Sequence, residues 1–389
     1  MSQESFRALG VSAEVDQTLV ARNITSPFRI QSLVLADALA GVDVLAKSPT
    51  GSGKTLAFAL PIVERTKPGN SPAALVLVPT RELALQVTDE IAAVAAPKRL
   101  RVATVYGGAP LGAQAKRART VDIVVATPGR LQDLIDRRMI SLDRVRILVL
   151  DEADRMLDMG FKPQVEKILQ RIPQERQTML FSATLDGEVF ELAREYTRNA
   201  ARYEGELPAE HEQGEVEHTF VAVTADAKVE ALVRELERDR DLALVFVRTK
   251  RGAERLVQKL KRHDVKAAAL HGDMTQGARE RSLARFRSGA VTTLVATDVA
   301  ARGLDLDNIT HVINFDPPAD DTAYVHRVGR TGRAGRNGNG VTLVLPEQQS
   351  DVSRVARLLG HTQQFEREGM RVAPARRVYT SRRGRRSRW

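Results

Sequence analysis

Four short strings concentrate the chemistry of this 389-residue chain: 48-SPTGSGKT-55, 151-DEAD-154, 182-SAT-184 and 326-HRVGRTGR-333. The first opens with Ser48 and Pro49 and runs through Thr50, Gly51, Ser52, Gly53, Lys54 and Thr55 into a helical stretch. Backbone N–H groups of such a loop, with the helix N-terminus behind them, form a nest for phosphate oxygens. Lys54 is spaced to reach the β- and γ-phosphates of a nucleoside triphosphate, and Thr55 to hold Mg²⁺ through its hydroxyl. Ser48 stands where the usual loop has its first glycine. Asp151 and Glu152 come just after the apolar run 147–150. A hard cation takes oxygen ligands, which suits Asp151, and phosphoryl transfer to water needs a positioned base, which suits Glu152. The fourth string presents Arg330 and Arg333 from the other half of the chain. Together the strings predict an ATPase whose site is complete only when two lobes meet.

Elements that could position these groups are visible around them. Short unalternating apolar runs recur at 44–46, 75–78, 102–106, 123–126, 147–150 and 179–181, then at 244–247, 267–270, 293–296, 311–314 and 342–345. Such runs read as strands buried on both faces. Stretches with helical spacing lie between them, including 82–95, 162–171, 228–239 and 251–263. Alternating strands and helices predict an α/β fold with parallel sheets covered on both sides. Each chemical string is expected where a strand ends, the edge at which open α/β sheets bind ligands. The segment 204-EGELPAEHEQGEVE-217 holds six glutamates, two glycines and a proline, the composition of a linker. The predicted organisation is a first lobe 1–205, a linker 206–216, a second lobe 217–360 and an Arg-rich tail 361–389. No glycine-rich phosphate loop occurs in the second lobe.

Composition narrows the classes. With no cysteine, disulfides and thiolate zinc sites are excluded. No apolar signal core opens the chain and no apolar run approaches 18 residues, so a soluble cytoplasmic protein without membrane contact is expected. The net charge of +10 is uneven, because residues 371–389 hold eight arginines and no acid. A basic arm of this kind, predicted to be disordered, usually meets nucleic acid.

In the order and spacing of these strings the chain resembles the DEAD-box ATP-dependent RNA helicases over roughly residues 4–350. The resemblance implies two tandem RecA-like domains. It also implies adenine recognition by Phe6 and Gln31, the latter ending 23-NITSPFRIQ-31 in a segment at about 4–32. Asp305 would contact the ribose and Arg330 and Arg333 would act as arginine fingers. Asp154, Ser182, Thr184 and His326 would couple the lobes, the two hydroxyls through hydrogen bonds. RNA contacts in the first lobe are implied for Pro79, Thr80, Arg81, Gly108, Thr127, Pro128, Gly129 and Arg130. In the second they are implied for Arg248, Thr249, His271, Gly272, Gln276, Arg279, Thr297, Asp298, Arg302 and Gly303. Contacts to sugar and phosphate imply RNA binding without sequence preference. The chain departs from the family pattern at Asn23, where glycine is usual, and at Arg248, where asparagine is common. Two alternatives stay open on sequence: a DNA-directed helicase of the same superfamily, and an ATP-dependent RNA clamp that unwinds little.

Overall fold

The computed structural model describes residues 5–48, 52–69, 71–204, 215–301, 308–318, 320–332, 337–367 and 369–372. The chain divides into two compact units, each built on one wholly parallel sheet. In the first unit the strands are β1 (Val44–Lys47), β2 (Ala74–Leu77), β3 (Val102–Val105), β4 (Ile123–Ala126), β5 (Ile147–Asp151), β6 (Gln177–Ser182) and β7 (Ala201–Glu204). They lie in the order β3-β4-β2-β5-β6-β1-β7. In the second unit β8 (Val216–Ala222), β9 (Leu242–Phe246), β10 (Ala267–Leu270), β11 (Thr293–Ala296), β12 (Ile309–Asn314) and β13 (Gly338–Val344) lie in the order β10-β11-β9-β12-β13-β8. With β7 set aside, the two orders are the same.

Why the runs form strands follows from where their side chains go. Along β1, β2 and β5 successive residues enter two different apolar layers: Val44, Val76 and Val149 one, Leu45, Leu75 and Leu148 the other. A strand covered on both faces has no solvent side, hence the unbroken valine and leucine runs. Each fully buried leucine or valine contributes about 1.5–3 kcal/mol, and Leu75→Ala should cost about 2–5 kcal/mol.

Three boundaries differ from the sequence expectation. The strands β7 and β8 were not foreseen; both are partly exposed, with burial alternating along β7. Val216, assigned to the linker, is the first residue of β8. The second unit also continues past residue 360: Phe365, in the helix Thr362–Arg367, is fully buried, and Met370 is buried too. Residues 373–389, with seven of the eight tail arginines, lie outside the described residues, as do 205–214, which take in 206–214 of the predicted linker.

Candidate nucleotide and RNA site

Parallel strands bring their carboxyl ends to one edge, and in the first unit that edge divides between two chemistries. At β1, β5 and β6 stand the phosphate-loop string, the acid pair and Ser182. At β2, β3 and β4 stand 79-PTREL-83, Gly107–Gly108 and 127-TPGR-130.

The nucleotide half is tightly hydrogen-bonded. Lys54 is buried at the start of the helix Lys54–Arg65, and its Nζ donates to Ser48 O at 3.1 Å. Ser48 N donates to Ser182 O at 2.8 Å, which ties the loop to the neighbouring strand, and Ser48 Oγ donates to Ser52 Oγ at 2.5 Å. Gly53 has φ +84, and a Cβ there would sit 2.5 Å from Phe28 Cδ2 and 2.6 Å from Gln31 Nε2. Only glycine fits both the angle and the space. Gln31 is buried: its Nε2 donates to Gly53 O at 2.9 Å, and its Oε1 accepts from Phe28 N at 2.9 Å. The aromatic beside the loop is therefore Phe28. Phe6, the residue expected to meet adenine, has no exposed surface and belongs to the core cluster that includes Ile30 and Val34. This corrects the expectation, since a fully buried ring cannot stack on a nucleotide.

The acid pair is equally constrained. Asp151 ends β5 and is buried; burial pushes its carboxyl up to about 6, with Lys54 opposing and Glu152 adding. Its Oδ1 accepts from Glu152 N at 3.0 Å. Glu152 occupies the left-handed region at φ 52 and ψ 51, uncommon for a residue with a Cβ and costing roughly 1–2 kcal/mol. That turn directs the chain from β5 into the helix Ala153–Asp158, and Glu152 Oε2 pairs with buried Arg155 Nη1. Asp154 N donates to Ser182 Oγ at 3.2 Å, and Asp154 Oδ2 accepts from Ala183 N at 3.1 Å. The acid string and 182-SAT-184 are thus joined inside the first unit. Ser182 is fully buried in these contacts, whereas Thr184 is exposed. Sequence alone did not show Arg155 as the partner of Glu152, although spacing of three on a helix is the signal for such a pair.

These residues fit a magnesium ion. A buried carboxylate held above its ordinary pKa regains its charge when a cation is beside it. Mg²⁺ commonly takes one or two carboxylates plus waters and phosphate oxygens. Asp151 and the half-buried Thr55 supply such donors. No cluster of three or more His, Cys, Asp or Glu ligands exists among the described residues.

On the other half of the edge, Thr80 caps the helix Arg81–Ala95 by accepting from Leu83 N at 3.3 Å. The Arg81 guanidinium lies against Gly107 and Gly108, where a Cβ at Gly107 would be 3.3 Å from Nη2. Arg130 Nη1 donates to Ala109 O at 2.8 Å, and Pro128 and Gly129 open the helix Pro128–Asp136 after Thr127. The strings expected to meet RNA therefore converge on neighbouring strands.

In the second unit the corresponding strands β9, β10 and β11 end in Arg248–Thr249, His271–Gly272 and Thr297–Asp298. Thr249 Oγ1 accepts from Gly252 N at 3.0 Å, and buried Arg279 donates to His271 O at 3.2 Å. The string 326-HRVGRTGR-333 does not follow a strand, contrary to expectation. It begins on the helix Asp321–Val328, and Thr331 Oγ1 donates to O of Ile309, the first residue of β12, at 2.6 Å. Arg330 is thus next to a residue anchored at the amino end of β12. Arg327, which sequence reasoning passed over, is a buried hub. It holds both Asp298 oxygens at 2.6 and 2.7 Å and donates to Asn314 Oδ1 at 3.0 Å and Asp316 O at 2.6 Å. Pro49, Thr50, Gly51, Arg302, Gly303, Asp305, Arg333 and the Gln276 side chain lie outside the described residues.

Comparison with known proteins decides the family. The DEAD/DEAH box helicase model matches residues 28–192 and the helicase conserved C-terminal domain model residues 227–335. The DEAD-box ATP-dependent RNA helicase CshA of Bacillus licheniformis is 40% identical over 349 residues, covering 89% of this chain and 71% of the relative. The chain belongs to the DEAD-box ATP-dependent RNA helicases. RNA helicase CrhR of Synechocystis is 42% identical over 348 residues, covering 88% of this chain and 70% of that protein. Among solved structures, S. cerevisiae Dbp5 bound to RNA and ADP BeF3 superposes with a TM-score of 0.81 at 30% identity, covering 92% of this chain and 94% of that one. Mss116p bound to ssRNA and AMP-PNP gives 0.78 at 27% identity, covering 96% and 79%. This DEAD-box protein is an ATPase acting on RNA, built from two RecA-like domains; the DNA-directed and clamp alternatives are not favoured. No helix among the described residues is long and apolar enough to cross a membrane.

Proposed function

We propose that this helicase closes its two lobes, 1–205 and 217–360, around ATP and single-stranded RNA, and that closure splits short duplexes locally. The observation that carries the reading is the convergence of Lys54, Ser48, Asp151 and Ser182 at adjacent strand ends of the first lobe, while Arg330 and Arg333 belong to the other lobe. Lys54 binds the β- and γ-phosphates, Glu152 orients and deprotonates the attacking water, and Arg330 and Arg333 meet the charge that develops on the γ-phosphate. Asp151 and Thr55 would hold Mg²⁺, which would supply neutralisation of phosphate charge.

Gln31 serves adenine through what its present bonds leave over. A carboxamide has two donor hydrogens and two acceptor lone pairs. One of each is engaged by Gly53 O and Phe28 N, so one of each remains for the adenine edge. Thr184, being exposed, is the better candidate for a cross-lobe hydroxyl contact than Ser182. Because ATP and RNA both favour the closed state, each strengthens binding of the other by the same factor. A cytoplasmic location belongs to the same reading, supported by the RNA-directed activity of the family.

The test is to express residues 1–205 and 217–389 separately. Fragment 1–205 should bind a nonhydrolysable ATP analogue yet show no RNA-stimulated turnover, and fragment 217–389 should show neither. RNA-stimulated hydrolysis by fragment 1–205 alone would overturn the split site.

A further inference from the structure

The edge of the first sheet opposite the nucleotide carries an unexplained charge. The seven segments entering β1–β7 are 41–43, 66–73, 96–101, 119–122, 137–146, 170–176 and 197–200. They hold twelve basic residues, ten of them arginine, against four acids, a net +8. The segments leaving β1–β6 before the next helix (48–53, 78–80, 106–110, 127, 152 and 183–186) hold no basic residue and two acids. Basic groups near that functional edge instead come from helix starts such as Lys54, Arg81 and Arg130.

The charge on the amino edge is largely left standing. Two of its four acids, Asp43 and Asp122, are buried and accept from backbone amides: Thr178 N and Arg198 N for the first, Gly69 N and Arg101 N for the second. Several arginines are steadied by carbonyls, which orient a guanidinium without neutralising it. Arg119 Nε donates to Met139 O at 2.5 Å, Arg146 Nη1 to Asp143 O at 3.2 Å, and Arg176 Nη1 to Pro173 O at 2.9 Å. Three of the basic groups are paired with acids instead: Arg137 with Asp133 at 2.6 Å, Arg101 with Asp122 at 3.3 Å and Lys98 with Glu64 at 2.5 Å. Two cavities open here on either side of the loop 170–176. One, of about 350 Å³, is lined by Arg176, Arg198, Gln170 and Gln174; the other, of about 520 Å³, by Arg119, Arg138 and Arg171. Burial, and the nearby Arg198 against an opposing Asp43, hold the Arg176 guanidinium below its ordinary value.

We propose that this amino edge is a second phosphate-backbone surface, engaging RNA that extends beyond the segment handled at the carboxyl edge. The inference rests on the RNA-directed reading of the chain. Guanidinium forks match phosphate oxygens, and arginine outnumbers lysine here five to one. Arginines line both hollows beside apolar side chains such as Ile172, Ile140 and Leu142, and it is the net positive charge that suits a nucleic-acid backbone over an apolar protein face.

The test uses the full chain with Arg138→Gln, Arg144→Gln, Arg171→Gln and Arg198→Gln combined, all exposed and outside the proposed catalytic set. A control carries Arg234→Gln, Arg255→Gln, Arg262→Gln and Arg285→Gln, an equal charge loss on the second unit. Binding is measured for a 10-nucleotide and a 40-nucleotide single strand across a salt series, with ATP turnover alongside. The amino-edge variant should keep affinity and turnover on the short strand within about twofold. It should bind the long strand about tenfold more weakly, with a salt slope lower by about 3, at roughly 0.7 per phosphate contact. Superimposable long-strand lines for variant and unmodified protein would overturn the proposal, as would an equal loss in the control. Loss of polyglutamate binding by the amino-edge variant with long-strand binding intact would assign the surface to an acidic protein instead. Failure of the unmodified protein to bind the short strand would sink the RNA-directed reading itself, a separate outcome.

Discussion

The two units share a strand order but place different groups on its corresponding strands. In the first, β1 leads into the helix that begins with Lys54, and β5 ends in Asp151. In the second, β8 precedes the helix that begins with Lys228, and Asp316 lies two residues beyond β12. There the lysine and the acid close on each other: Lys228 Nζ is 2.9 Å from Asp316 Oδ1, and it also lies 4.4 Å from the Phe315 ring centroid. In the first unit Lys54 donates to the Ser48 carbonyl, and the Asp151 carboxyl is shifted upward. One lysine–acid placement is filled by its own ion pair, and the other is the one proposed above to take phosphate and metal. The strands proposed to carry the RNA contacts, β3-β4-β2 and β10-β11-β9, keep the same order in both units. The second unit adds its arginines elsewhere, between β12 and β13.

Four measurements separate these assignments. Arg330→Ala should lower turnover by about 10³–10⁵ while nucleotide binding persists, because the arginine acts on charge that develops only during transfer. Steady-state ATP hydrolysis beside equilibrium titration with a nucleotide analogue checks this, and normal turnover would remove the second unit from the chemistry. Glu152→Gln should lower turnover by about 10²–10⁴ and leave ATP and RNA binding in place, as loss of a general base does. Stopped hydrolysis with stable complex formation on RNA is the expected readout.

Lys228→Met probes the counterpart in the second unit. It should cost about 1–3 kcal/mol of stability by leaving Asp316 Oδ1 without its ion pair, while Oδ2 keeps its bond from Arg248 N, with turnover of the folded protein unchanged within about twofold. Denaturant titration reads the first and initial rates the second; a collapse of ATP affinity would show that Lys228 binds nucleotide after all.

The smallest effect concerns pH. His218 accepts or donates at 2.8 Å to the Tyr324 hydroxyl and stacks on His361 at 4.0 Å. Burial, and then His361, push its pKa down to about 4 from 6.5. The folded state thus binds fewer protons than the unfolded state between these values, so stability is present above 6.5 and is lost as pH falls toward 4. His218 is only partly buried, so solvent screening reduces the effect to about 1–2 kcal/mol. The second unit's unfolding midpoint should drop between pH 7 and pH 5, and His218→Phe should flatten that slope.

Much of the fold is legible in the sequence. Central strands announce themselves because burial on both faces demands runs such as 147-ILVL-150. The strands β7 and β8 were missed for the opposite reason. Partly exposed, 201-ARYE-204 and 216-VEHTFVA-222 mix polar and apolar residues and flank a glutamate-rich segment that masks them. The helix start at Lys54 was readable because a local string determines it. The Lys228–Asp316 pair was not, since its members are 88 residues apart and meet only through sheet order. Phe6 misled because an aromatic ring suits a core and a base stack equally well, and only burial distinguishes them. The edge on which 326-HRVGRTGR-333 lies was likewise invisible, depending on the direction of the helix that carries it.

The position of β1 has a consequence for synthesis on the ribosome. This strand is the first of its unit to be made, yet its two neighbours, β6 and β7, are the last. Its entry is also sealed late: Gln177 Nε2 donates to Ala38 O and Val42 O at 2.8 Å, and Asp43 waits for Thr178 N. A nascent chain therefore carries its phosphate-loop sequence through some 130 further residues before the supporting strands emerge. Nucleotide affinity should appear abruptly as residues near 204 leave the tunnel, and a chain arrested before residue 177 should have none.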